Sequence, residues 1–465
     1  MPLGLYVSVP FCRTKCSYCN FASGVFSRAV FERYIDRVCV DIKRAPLTAD
    51  KMGGRLESTV DSIYLGGGTP TVLDISQLER LFVTISQNFA VAPDAEITVE
   101  CAPGTLTPEL LKLLRDCGVN RVSLGLQSFV DEEARAVGRL HNRRTVLDDI
   151  TRLREAGLKN INVDLIAGLP HQTAESWQFS LEQVIGSEVP HVSVYMLEVD
   201  EDSRLGRELI AGGTKYHAHF VPDEDLTADL YLAACETLNA AGVQQYEISN
   251  FAREGFQSRH NLKYWTRQPY LGFGVDAHSM LSSAGAKALS GPATAVGLKA
   301  RSSTDKERPD REQTIRETGV FVELQSADAT VEGHGFSHAM KSPISLGFSR
   351  WETDIDAVRF STPDSLDAYI SGEPLKQTVI SKQAALEETF FLGLRLNRGL
   401  DLDSVATKFG AGAVSGFSQA IADFVAAGLI ERREDTIRLT ARGRLLSNEV
   451  FERFILTGAP VLQGS

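Results

Sequence analysis

The sequence predicts an α/β protein: a parallel sheet of six strand–helix units, followed by a smaller α+β unit patterned like a winged helix. Three observations carry this. Apolar strand-like runs alternate with helical runs through the first half of the chain, residues able to do chemistry fall at the carboxyl ends of those strands, and the texture changes twice beyond residue 280.

Residues 3–9 read as a strand and 31–43 as a helix; 62–65 precede a helix at 75–88, and 96–100 precede one at 108–116. The rhythm continues with 121–124 before 144–155, 160–164 before 174–184, and 191–197 before a helix near 228–240. Strands separated by helices in this way pair in parallel, because the crossover helix returns the chain to the same end of the sheet. In β/α barrels the reactive groups collect on loops at the carboxyl ends of strands. The cysteine loop, Gly66-Gly67-Gly68-Thr69-Pro70, Glu100, Gln127 and Asp164 all fall at those ends. Scattered core residues would not share this phase.

Cys12, Cys16 and Cys19 form a C-x3-C-x2-C triplet within eight residues, just past the first strand. A 4Fe-4S cluster normally takes four cysteines, so a local set of three suggests one iron left free for a non-protein ligand. A structural zinc site is the alternative. Zinc pairs usually read C-x2-C with a second pair or histidines downstream, and no such pair follows here.

The glycine run lets the backbone approach a ligand without Cβ interference and leaves main-chain N–H and C=O groups to a small zwitterion, although tight turns need glycine too. Glu100 closes the apolar strand Ile97-Thr98-Val99, where a carboxylate inside a barrel mouth requires a partner and an exposed strand end does not. Arg139, in Gly138-Arg139-Leu140-His141, suits a bidentate carboxylate contact or a surface salt bridge.

At 465 residues and 43% hydrophobic, the chain is long enough for more than one domain. Three of its seven cysteines belong to one site, and Cys39, Cys101, Cys117 and Cys235 are scattered within patterned elements, which argues against a disulfide framework. The N-terminus has neither a basic n-region nor a long apolar run, so a cytoplasmic location is expected, without signal peptide or membrane span. A formal net charge of −12 without a long basic block disfavours nucleic acid as a partner.

Taken together these residues resemble the radical S-adenosylmethionine superfamily, whose fold is a partial, six-unit (β/α) barrel. The resemblance implies that the cofactor's methionine amino and carboxylate groups chelate the fourth iron and that an electron from the cluster cleaves the sulfonium to a 5'-deoxyadenosyl radical. It sets Tyr18 against the adenine and the loop of Gly67, Gly68 and Thr69 at the methionine amino group, with Tyr6, Glu100, Gln127, Arg139 and Asp164 as further cofactor contacts.

Further motifs narrow the resemblance. Tyr6-x-Ser8-x-Pro10-Phe11-Cys12, Val122-Ser123-Leu124-Gly125-Leu126-Gln127-Ser128-Phe129, Leu165-Ile166-Ala167-Gly168-Leu169-Pro170 and Tyr246-Glu247-Ile248-Ser249-Asn250-Phe251-Ala252 are similar to the oxygen-independent coproporphyrinogen III oxidase family. The oxidase branch carries a fourth cysteine two residues beyond the triplet, where this chain has Phe21. The HemW-type heme chaperone subfamily lacks it and carries an H-N-x-x-Y-W motif, here His260-Asn261-Leu262-Lys263-Tyr264-Trp265. That branch implies a 4Fe-4S cluster, S-adenosylmethionine and heme, delivery of heme to respiratory acceptor proteins at the membrane, and an electron donor for the cluster. The alternative is the oxidase activity itself, radical oxidative decarboxylation of the propionates of coproporphyrinogen III.

For heme, His260 offers an imidazole, a common axial ligand, while Tyr264 and Trp265 offer flat apolar area for the macrocycle; a packed, hydrogen-bonded histidine is the plainer alternative. Tyr246, His217 and His219 read as core or surface residues, and His278 falls near a stretch the family sets beside the cofactor.

Two departures stand out. The strand-three loop reads Glu100-Cys101-Ala102-Pro103-Gly104, where the family usually has Asn before the proline, and residues 281–347 read as a disordered insertion without sustained periodicity. The expected domains are therefore 1–280, the barrel with the heme motif; 281–347, the insertion; and 348–465, the winged-helix-like unit, with helices at 384–396, 402–408 and 413–427 and a hairpin of 430–433 with 436–439. That last unit lacks a helix dense in Lys and Arg, so a cap over the barrel mouth is expected rather than a DNA reader.

Overall fold

The computed structural model describes residues 1–285 and 354–455. Strands β1 (Leu3–Val9), β2 (Thr59–Gly67), β3 (Ala90–Cys101), β4 (Arg121–Gln127), β5 (Asn160–Ala167) and β6 (His191–Met196) pair in parallel in chain order. This is the expected six-unit partial barrel. Its alternation follows from sequence: Leu3, Leu5, Val7 and Val9 are fully buried against a core that includes Ile35, Val38 and Ile42 of the helix Arg28–Lys43. Gly4, Tyr6 and Ser8, one residue out of phase, turn to the opposite face, the barrel lumen. Each fully buried aliphatic side chain contributes about 1.5–3 kcal/mol, so the outer layer fixes the register and leaves the inner face free to be polar.

Helix starts coincide with local signals. Thr107 accepts from Leu110 N ahead of Pro108, and Asp74 with Gln77 and Thr173 with Ser176 close capping boxes.

Beyond the six strands the sheet continues on both edges. β7 (Gln244–Gln245) and β8 (Asn250–Ala252) extend the β6 edge, with β8 antiparallel to β6. On the β1 edge lie β9 (Tyr270–Phe273), parallel to β1, and then antiparallel β10 (His278–Ser282), β11 (Ile355–Ser361) and β12 (Lys376–Ser381). Two expectations are corrected here. Residues 355–381, assigned by sequence to the C-terminal domain, complete the barrel sheet: Val358 and Phe360 are buried in the barrel core, and Ala357 and Ile380 in the core shared with the C-terminal unit. β10 runs to Ser282, so residues 281 and 282 belong to the sheet, and residues 286–347 of the stretch read as an insertion lie outside the described residues.

The C-terminal unit starts with the helix Lys382–Leu394 and holds a three-stranded sheet of β13 (Leu400–Asp401), β14 (Ile430–Arg433) and β15 (Thr436–Leu439) in the order β13-β15-β14. The helix expected at 413–427 is divided into Ala411–Ser415 and Ser418–Ala426, with Gly416 and Phe417 between them. Its core joins Ile248, Tyr270, Met280 and Ala357. Tyr270 pairs with Gly4 at the amino-terminal end of β1. The unit therefore packs at the amino-terminal end of the strands and does not cap the mouth.

Candidate functional site

The cysteine loop crosses the carboxyl end of the barrel and is pinned by backbone. Cys12 N donates to Gly24 O (2.9 Å) and Gly24 N to Pro10 O (2.9 Å), closing the loop on itself; Ser17 N donates to Val137 O (3.1 Å), and Leu205 N donates to Ser17 O (2.8 Å). Cys16 is buried and Cys12 and Cys19 are half-buried, all as free thiols. Burial pushes the Cys12 thiol up, against hydrogen bonds from Thr69 and Ser23. A bound cation is the partner that ionises such a thiol, so the donor set fits a metal centre. Among the described residues no three His, Cys, Asp or Glu side chains converge on one metal-ion position.

The glycine run packs against this loop. Gly68 N donates to Val9 O (2.9 Å) and Thr69 N to Phe11 O (2.8 Å). A Cβ on Gly68 would come within 2.6 Å of Val9 O, so the close approach itself demands glycine. Gly67, at φ +97°, donates its N–H to Glu100 Oε2 (3.2 Å), and Tyr64 Oη donates to Glu100 Oε1 (2.8 Å). Part of the run thus serves Glu100 rather than a ligand directly. Tyr6 Oη lies 3.2 Å from the position a Gly67 Cβ would take. Burial, and then the nearby Asp164, raise the Glu100 carboxyl to about 7.

Gln127, Arg139 and Asp164, distant in sequence, meet over Gly125. A Cβ there would lie 3.2 Å from Arg139 Nη2, 3.4 Å from Gln127 Nε2 and 3.9 Å from Asp164 Oδ2. Arg139 also donates to Gly125 O and, through Nη1, to Cys16 Sγ (3.4 Å), tying this cluster to the cysteine loop. Its Nε is buried without a hydrogen-bond partner. Gln127 holds φ +74°, which aims its amide across the strand end. Tyr18 packs with Val137, Ile166 and Leu169 beside Cys16. The half-buried cation, the amide and two carboxylates present donors and acceptors together, as a zwitterion with a sulfonium requires.

His260 lies elsewhere. It is 1% exposed, next to Gly4 and Ser62 at the amino-terminal ends of the strands, with the rings of Tyr6 and Tyr64 at 6.4 and 5.4 Å on the side of the mouth. Its Nδ1 is 3.0 Å from Ser62 Oγ and its Nε2 2.8 Å from Tyr264 Oη. Burial, with Lys263 and Arg121, pushes it down to about 3, so the imidazole is neutral. Trp265 is not open to a macrocycle: it packs with Leu392 and Leu396 and under the Arg395 guanidinium at 4.1 Å. His278 sits on β10, in the sheet extension, near Asp276.

Residues without a site assignment from sequence line the lumen: Tyr64, Glu96, Arg121, Ser123, Asn162 and His191, together with Tyr246, which reads from sequence as a core or surface residue. Glu96 takes Ser258 Oγ and the backbone N–H groups of Arg259 and His260 (3.3, 2.9 and 3.0 Å), so it anchors the start of the H-N-x-x-Y-W helix. The available signal was period-two polarity inside otherwise apolar strands, as in Arg121-Val122-Ser123 and Asn162-Val163-Asp164.

Residues 6–184 match the model of the Radical SAM superfamily and residues 380–446 that of the HemN C-terminal domain. The chain is 29% identical over 459 residues to the heme chaperone HemW of Lactococcus lactis, covering 98% of each chain. It is 34% identical over 282 residues to the heme chaperone HemW of Escherichia coli, covering 60% of this chain and 71% of that protein. Among solved structures, coproporphyrinogen III oxidase (HemN) from Escherichia coli, described as a radical SAM enzyme, superposes with a TM-score of 0.70 at 23% identity, over 97% of this chain and 90% of that one, a likeness of fold.

Proposed function

Because the chain belongs to the radical S-adenosylmethionine superfamily, and within it to the HemW-type heme chaperone subfamily of the anaerobic coproporphyrinogen III oxidase family, we propose that it is a cluster-bearing heme chaperone. It binds heme and delivers it to respiratory acceptor proteins at the membrane, working from the cytoplasm with an electron donor for its cluster. Among the described residues no helix is long and apolar enough to cross a membrane.

The observation that carries the reading is the convergence of Gln127, Arg139 and Asp164 over Gly125, with Arg139 reaching Cys16. Cys12, Cys16 and Cys19 hold the 4Fe-4S cluster; Tyr6, Tyr18, Gly67, Gly68, Thr69, Glu100, Gln127, Arg139 and Asp164 hold S-adenosylmethionine. When bound, the pair supplies one-electron reductive chemistry at a sulfonium. The protein's own contribution is positional: Arg139 neutralises a carboxylate, Glu100 and Asp164 accept from donors, and Tyr18 covers one side of the site. Phe21, 38% exposed, stands where the oxidase branch has its extra thiol, and a phenyl ring offers neither a hydrogen atom nor thiol redox chemistry.

Heme is assigned to His260. Its neutral imidazole is in the ligating form, but a hydrogen bond must open to free a ring nitrogen, and the one from Nε2 goes to Tyr264, four residues along the same short helix. Heme titration of the purified protein, followed at the Soret band, tests this. Wild type should bind, His260→Ala should lose about tenfold or more in affinity, and Tyr264→Phe, which frees Nε2, should bind at least as tightly as wild type. Unchanged binding by His260→Ala would remove His260 from the assignment.

A further inference from the structure

Below the site, the polar lining of the lumen forms a hydrogen-bonded chain ending on Asp164. Ser258 N donates to Tyr246 Oη (3.2 Å); Tyr246 Oη lies 2.9 Å from His191 Nε2; His191 Nδ1 lies 2.6 Å from Asn162 Oδ1; Asn162 Nδ2 donates to Asp164 Oδ1 (2.7 Å). Ser123 Oγ receives a second Asn162 proton (2.7 Å) and donates to Asp164 Oδ2 (3.1 Å). His191 and Ser258 are fully buried, Asn162 and Tyr246 nearly so.

The direction of every bond follows from the two ends. A carboxylate only accepts, so the Asn162 amide must face Asp164 and Ser123, which turns Oδ1 toward His191. Oδ1 cannot donate, so His191 carries its proton on Nδ1. Nε2 is then an acceptor and takes the Tyr246 hydroxyl, whose oxygen accepts from Ser258 N. Only a neutral imidazole fits this sequence of bonds, and burial, with Arg121 nearby, holds His191 well below its ordinary range. With Oδ1 of Asp164 held by Asn162, Oδ2 is the oxygen that faces Gly125, where Gln127 and Arg139 converge.

We propose that His191 and Asn162 are positioning residues for S-adenosylmethionine: through this chain they fix the tilt of the Asp164 carboxylate and so the direction in which it accepts from the cofactor. The inference rests on the reading that Asp164 contacts S-adenosylmethionine. Groups that hydrogen-bond the contacting residue orient it without touching the ligand themselves.

Two substitutions of similar polarity separate positioning from packing. Asn at position 191 keeps a donor near the place of Nδ1, whereas Gln keeps a polar atom near the place of Nε2. S-adenosylmethionine affinity would be measured by calorimetry on anaerobically reconstituted full-length protein, with iron and sulfide content as the check on folding. His191→Gln should weaken binding about tenfold, while His191→Asn stays within about threefold of wild type, because loss of an oriented bond to a charged group has that scale. Asn162→Ser, a second variant, should behave like His191→Gln. In an Asp164→Asn background, His191→Gln should cost nothing further, since its effect passes through the lost carboxylate.

Equal weakening by His191→Gln and His191→Asn, or an additive loss in the double variant, would overturn the positioning role while leaving Asp164 as a contact. Unchanged affinity in Asp164→Asn would overturn the pocket itself, and the positioning role with it.

Discussion

Glu100 is the residue whose charge state matters most to the site. Its carboxyl is raised to about 7 by burial and by the neighbouring Asp164, while Tyr64 and Gly67 N–H pull the other way. A carboxyl raised in the folded protein stabilises the fold in its protonated form: that contribution is complete below the unfolded value of about 4.3 and is lost as pH rises through about 7. Binding of a cationic ligand uses the ionised form. S-adenosylmethionine affinity should therefore rise with pH, by up to about tenfold per unit below 7, then level off. Glu100→Gln should flatten that part of the profile in a calorimetric series from acid to alkaline pH. A wild-type profile indistinguishable from that of Glu100→Gln would mean that Glu100 does not face the charge.

At the scale of elements, the strand ends were legible because their chemistry is local: three cysteines in one loop and a glycine run in the next carry their own spacing. The interior was not. Tyr246 reads as an ordinary core or surface position and Arg121 and His191 only as the first residues of strands, and their roles exist only where β4 (Arg121–Gln127), β5 (Asn160–Ala167) and β6 (His191–Met196) are laid side by side. The helix pattern of the C-terminal unit was legible too, but its docking face was hidden, since Tyr270 and Ile248 meet it only through long-range packing. The seam between the glycine run and the cysteine loop gives an element-level test. Gly68→Ala would press a methyl on Val9 O and the Phe11 backbone, at 2.6 and 2.9 Å, where neither is free to yield. A loss of about 1–3 kcal/mol in stability is expected, together with reduced iron after reconstitution. Gly186→Ala, with nothing within 4 Å, is the control and should be near neutral. Full iron content and wild-type stability in Gly68→Ala would show that the seam is looser than described.

Over the whole molecule, the barrel sheet and the C-terminal unit are joined by a buried ionic knot. Glu388 receives Arg267 Nε (2.8 Å) and Arg359 Nη2 (3.0 Å), and Arg267 Nη1 also reaches Asp356 (3.2 Å). Burial alone would push the Glu388 carboxyl up; the two guanidiniums outweigh it and hold it below the usual carboxylate range. Its stabilising contribution is present above about 4.3 and is lost as pH falls through the lower folded value. Glu388→Ala leaves Arg267, almost fully buried, with Asp356 alone and takes the same carboxylate from Arg359, and should cost about 3 kcal/mol in chemical denaturation; a change under about 0.5 kcal/mol would mean that the knot contributes no cohesion. The central claim concerns what this assembled molecule does with porphyrins. The most direct test is product analysis after anaerobic incubation of the reduced, cluster-loaded protein with S-adenosylmethionine and coproporphyrinogen III, beside a heme titration of the same preparation. Saturable heme binding with no protoporphyrinogen IX is the predicted result, and turnover of coproporphyrinogen III would contradict it.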